Sequence, residues 1–128
     1  MKTGILVKKL KNKGYLALAS KLEDNLLHSI AVRLKKEFKD WVVKVNYDKK
    51  RINIYSKSRE FYIPLIDDNL IIVDNSNKDE IFAKIKNNLN LDNIVNKIVN
   101  AIKDYISNAE KFSLNKTFTD NQVRFNRI

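Results

Sequence analysis

The hydrophobic period of this chain changes at Trp41, and that change limits its folds more than any other feature. Before it, Leu22, Leu26, Leu27, Ile30, Ala31, Leu34, Phe38 and Trp41 recur at three- and four-residue spacings, one apolar stripe along a helix. After it the period is two. Val43, Val45 and Tyr47 alternate with Lys44 and Asn46, then Ile52 and Ile54 alternate with Arg51, Asn53 and Tyr55. Such alternation describes strands with one buried and one exposed face. A chain that passes from an amphipathic helix to half-buried strands must stack the helix on a sheet.

Two more apolar runs follow, Phe61–Ile66 and Leu70–Val73, separated by Asp67-Asp68-Asn69, which read as turn residues. These runs predict a four-stranded antiparallel meander, because the connections are too short for crossovers. Pro64 has no amide hydrogen, which directs the third strand to an edge or a bulge. Helical spacing then returns twice. Ile81, Phe82, Ile85 and Leu89 form one stripe, with Ser76 or Asn77 as cap and Asp79 and Glu80 in the first turn. After a break near Asn90–Asp92, Leu91, Ile94, Val95, Ile98, Ile102, Tyr105 and Ile106 form another. The predicted class is α+β: an N-terminal helix, the four-stranded meander, and two C-terminal helices packed on one sheet face. The opposite face is left to solvent.

Around this domain, placed at residues 15–107, lie two flanking segments. Residues 1–14 carry Lys2, Lys8, Lys9, Lys11 and Lys13 with no acid, and read as a basic arm or a short helix that Gly14 ends. Ser20 with Glu23 fits a capping box, which would start the regular helix there. Residues 108–128 form a C-terminal extension in which Phe112, Leu114, Val123 and Phe125 suit a late hairpin or loose docking. Arg124-Phe125-Asn126-Arg127 adds a weaker basic motif at the end.

Composition removes several function classes. The chain has no cysteine and a single histidine, His28, so disulfides, Cys-based metal or redox sites and multi-His sites are excluded. With two glycines and one proline it has no glycine-rich phosphate loop or dinucleotide turn, and no cofactor motif. No apolar run approaches the roughly 18 residues of a membrane span, and the apolar start is too short for a signal peptide. These features predict a cytoplasmic protein without a membrane partner.

Charge gives the strongest functional signal. Residues 1–60 hold 16 Lys/Arg against 6 Asp/Glu, whereas residues 61–128 hold 9 of each. The whole net charge of +10 therefore belongs to the first half. Clustered cations favour a polyanion, since binding releases counterions from phosphates. Three segments are candidates. The exposed sheet face offers Lys44, Arg51, Asn53, Tyr55 and Lys57, joined by Arg59 and by Tyr62 of the third strand; cations interspersed with tyrosines suit phosphates and bases. The first long helix offers Arg33, Lys35, Lys36 and Lys39, beside Lys21 and His28, for phosphate contact. The N-terminal segment offers Lys8, Lys9, Lys11 and Lys13.

The expected function is non-enzymatic nucleic-acid binding, DNA or RNA, driven by phosphate neutralisation. A second reading is a small inhibitor or adaptor, of the phage or mobile-element type that includes anti-CRISPR proteins, acting on a nucleoprotein complex. A third is a divergent metal-dependent nuclease: Asp48-Lys49-Lys50 has part of the required lettering, but the strand pattern puts it at a hairpin tip with no acid on a preceding strand. A free sheet edge and an open sheet face also permit a homodimer.

Overall fold

The computed structural model describes the backbone of residues 3–123 and the side chains of residues 3–109. Two helices come first, α1 (Thr3–Asn12) and α2 (Leu16–Glu37). Five strands follow: β1 (Val42–Asn46), β2 (Arg51–Tyr55), β3 (Glu60–Ile66), β4 (Asn69–Asp74) and β5 (Glu80–Lys86). A 3-10 turn at Asn75–Asn77 precedes β5, and α3 (Leu91–Val123) closes the chain. The strands form one antiparallel sheet in sequence order, β1-β2-β3-β4-β5.

The α+β class and the meander follow the sequence pattern, and the strand count does not. Residues 80–86, expected as a helix, are a fifth strand, so one C-terminal helix replaces the expected two. The cause is a β-bulge. Ile72 pairs with Ala83 while Val73 pairs with Ile81, which leaves Phe82 as the extra residue. Phe82 turns inward, stacking on Tyr105 at 3.8 Å and meeting Phe61 edge-on at 5.5 Å. A bulge breaks the two-residue alternation, and the resulting Ile81, Phe82, Ile85 spacing imitates a helical stripe.

Pro64 is a second correction: it lies in β3, the central strand. Its pairing with β2 is continuous, from Arg51↔Pro64 to Tyr55↔Glu60. The pairing with β4 is interrupted between Tyr62↔Val73 and Leu65↔Leu70. The missing proline N–H thus costs the β3–β4 ladder a bond inside the sheet rather than at its edge.

The core lies on one sheet face. Leu27, Ile30 and Leu34 of α2 and Ile94, Ile98 and Ile102 of α3 pack on Ile52, Ile54, Phe61, Ile63, Leu70 and Ile72, all at most 1% exposed. α2 covers β1 and β2, α3 covers β5, and the two helices touch. Asn90 caps α3 by accepting from the Asn93 amide at 2.8 Å. The backbone of α3 stays helical to Val123, so residues 108–123 do not form the expected hairpin. The readings placed on Phe112, Leu114 and residues 124–128 lie outside the described side chains.

Of the two readings of the basic N-terminal segment, arm or short helix, the described residues Thr3–Asn12 form a short helix. Gly14 ends α1 at φ +86°, with the Tyr15 amide bonded to the Leu10 carbonyl and the Gly14 amide to the Lys11 carbonyl, a Schellman arrangement. Gly4 lets α1 approach the loop after β5, since a Cβ there would collide with the Asn87 backbone carbonyl. α2 begins at Leu16, so Ser20 and Glu23 are interior rather than a capping box. Their polar atoms serve tertiary contacts. The Ser20 carbonyl and hydroxyl accept from Lys50 Nζ, and Glu23 accepts from Lys11 Nζ at 2.9 Å.

Candidate nucleic-acid interface

Because α2 and α3 share one side of the sheet, the other side carries no described element. The pairing registers fix which residues lie in line across it. One row runs Lys44–Asn53–Tyr62–Val73–Ile81, and the next Asn46–Arg51–Pro64–Ile71–Lys84. At one end Val42 and Tyr55 lie beside Glu60, and at the other Ile66 and Asn69 lie beside Lys86. Among the described residues of these rows, Glu60 is the one carboxylate.

This surface has an apolar and aromatic centre between cationic margins. Arg51 holds its guanidinium carbon 4.1 Å from the centroid of the Tyr62 ring. Such a stack contributes about 0.5–1 kcal/mol when exposed and orients a long side chain that would otherwise be mobile. Lys44 stands on the β1 edge and Lys84 on the β5 edge, both exposed. Lys86 pairs with Asp68 at 3.8 Å, whereas Lys44, Arg51 and Lys84 make no ion pair among the described residues. Lys44, Asn46 and Asn53 also line a shallow depression of about 420 Å³ with Tyr47 and Asp48.

Three polar atoms just beneath this face, Arg51 Nε, Asn53 Oδ1 and Asn69 Oδ1, have no hydrogen-bond partner among the described residues. Buried polar groups are usually paired.

The structure splits the candidates chosen from sequence. Lys44, Arg51, Asn53, Tyr55 and Tyr62 come together on the open face. Lys57 and Arg59 sit in the β2–β3 connection at the end of that face, where the Ser56 amide bonds to the Arg59 carbonyl. Arg33, Lys35, Lys36 and Lys39 belong to α2 and its exit, which pack on the opposite sheet face. Arg33 is paired with Asp92 at 2.8 Å, and Lys35 donates to the Trp41 carbonyl at 2.6 Å. Lys8, Lys9, Lys11 and Lys13 lie on α1 and the turn after it, and Lys11 is held by Glu23. The cations of the first half thus form three groups and not one continuous surface.

Sequence reasoning missed Lys84, Lys86, Ile71, Val73 and Ile81 as members of this face. Ile71 and Val73 belong to the uninterrupted apolar run Leu70–Val73, in which no polar residue marks the outer face, and the two lysines were hidden by the helical reading of β5.

Asp48 sits in the β1–β2 turn, as expected from the strand pattern. Lys50, at φ 51°, donates to Asp24 Oδ1 at 2.6 Å and ties this turn to α2. Among the described residues no group of three His, Cys, Asp or Glu is arranged to hold a metal ion. No described helix is long and apolar enough to cross a membrane.

One titratable cluster lies at the core side of the sheet end. Tyr105 of α3 donates to Asp74 Oδ2 at 2.7 Å and approaches Glu80 Oε2 at 3.2 Å. Burial, first, and then the hydrogen bonds to both carboxylates and the Asp74 charge push its hydroxyl up to about 12, against an opposing contribution from Asn77. Asp74 is 2% exposed and also accepts from the Ser76 amide. The cluster fastens α3 to the β4–β5 connection and faces away from the open surface.

The fold and face define a small α+β domain with one uncovered, cation-edged sheet surface. Comparison with protein-family models, curated proteins and solved structures gave no match.

Proposed function

We propose that this protein binds nucleic acid through its open sheet face, without base-specific readout and without catalysis. The observation that carries the reading is the Arg51–Tyr62 stack at the centre of an uncovered face, with Lys44 and Lys84 at its two edges. Cations without acid partners gain by neutralising phosphates, and the tyrosines add flat surfaces for bases. The reading is narrower than the charge distribution alone suggested. The lysines of α1 and α2 raise the overall potential and the rate of encounter, and the contacts belong to the sheet.

A salt titration with random-sequence oligonucleotides tests this. Three to four neutralised phosphates give a slope of log K against log salt of about −2 to −3 on a single strand, at roughly −0.7 per phosphate. A flat salt response, or no binding at low salt, removes the reading. The exposed Ile66 and Ile81, 49% and 63% accessible, favour the alternative of a protein component in a nucleoprotein complex. Capture of such a complex by a protein that ignores free nucleic acid would put that alternative first.

A further inference from the structure

We infer that the nucleic acid taken by this face is single-stranded, lying across the strands with bases on the apolar centre and phosphates at the cationic edges. The inference rests on the nucleic-acid reading above and goes beyond it by naming the form of the ligand.

A ligand and this face must match in the surfaces they present. A duplex turns its phosphates outward and keeps its base faces stacked inside. Laid on this sheet, it would press hydrated phosphates onto Tyr62, Pro64, Ile71, Val73 and Ile81, stripping their water with no compensating charge. A single strand has both kinds of surface available at once. Its unstacked bases can cover the aromatic and aliphatic centre, as they do on other protein platforms where rings and guanidinium planes stack on bases. Arg51 lies over the Tyr62 ring, so the guanidinium plane itself is a stacking surface, backed by the tyrosine.

The dimensions agree. Five strands spaced by about 4.8 Å put roughly 19 Å between the β1 and β5 edges, so Lys44 and Lys84 reach phosphates on either side of a few bases. Charge is complementary, since Glu60 is the one carboxylate of the rows and stands at their margin.

The test uses the full chain and two fluorescent probes at equal salt. One is an oligothymidylate of about 20 nucleotides, longer than the roughly 4–16 that small single-strand-binding domains cover. The other is a mixed-sequence duplex of the same length. The oligothymidylate should bind at least about tenfold tighter, and Tyr62→Ala should weaken it by about 5- to 150-fold, the loss expected for one stacked base. Tyr62→Phe, which keeps the ring, should retain most of the affinity. If Tyr62→Ala does not fold, amide NMR on the unaltered protein replaces it. Oligothymidylate should then shift Lys44, Asn53, Tyr62, Val73 and Lys84. Duplex binding as tight as single-strand binding, an unaffected Tyr62→Ala, or shifts confined to α1 and α2 would overturn the inference and leave nucleic-acid binding standing. Absence of binding by both probes at low salt would remove both.

Discussion

Arg51 and Tyr62 show how much a single alternating strand can specify. Their place on the exposed face was readable from period alone, because Ile52 and Ile54 had to point to the core and are both 0% exposed. The two kinds of position should respond differently to mutation. Ile54→Ala, or Ile98→Ala in α3, leaves a cavity in the packed layer and should cost about 2–5 kcal/mol in a urea unfolding curve. Arg51→Ala gives up the stack on Tyr62 and should cost no more than about 1 kcal/mol while weakening oligonucleotide binding. Tyr105 was readable only as a core residue, since its partners Asp74 and Glu80 flank a turn that the sequence pattern put into a helix cap. Its raised hydroxyl has a sign that can be checked. The folded state keeps the proton longer than the unfolded chain, so the stability it contributes is complete below pH 10 and is lost as pH rises from 10 toward about 12. One of the five tyrosines should therefore titrate late by phenolate absorbance, and that late step should vanish in Tyr105→Phe.

Among the elements, local sequence was decisive where it obeyed one period and misleading where geometry interrupted it. α2, the first two strands and the start of α3 have a single clean repeat and were legible. β5 was not, because the bulge at Phe82 puts an inward aromatic beside the outward Ile81. Pro64 misled for a different reason: proline's exclusion from central strands is a cost, and this sheet accepts it by opening the β3–β4 ladder at one position. At the connection between α1 and α2, Gly14 marked the end of the short helix because it has a conformation that other residues resist, whereas the start of α2, placed at Ser20, lies at Leu16. Gly14→Ala should lower stability by about 1 kcal/mol or more, seen as an earlier denaturation midpoint, since a side chain is strained at φ +86°. Asn90→Ala removes the α3 cap and should cost about 1 kcal/mol in the same measurement.

For the whole molecule, the fold divides the charge bias of the first half among separate parts of the described structure. Folding sends the cations of the first half to the helix layer, the α1 end and the open sheet face, and gives Arg33 an acid, Asp92, from the second half. The second half in turn contributes Lys84 to the open face. Net charge was legible in the sequence; its distribution was not, because that depends on which sheet face the helices cover and on the pairing of β5. Two variants of equal charge separate the two quantities. Lys44→Ala/Arg51→Ala/Lys84→Ala removes three cations from the sheet face, and Lys35→Ala/Lys36→Ala/Lys39→Ala removes three from α2 and its exit. The most direct measurement is the salt dependence of oligothymidylate binding by these two proteins. The sheet-face variant should lose affinity and about 2 from the magnitude of the log–log slope, at roughly 0.7 per phosphate, with the α2 variant close to the unaltered protein. Equal losses in both, or a larger loss in the α2 variant, would contradict the assignment of binding to the open face.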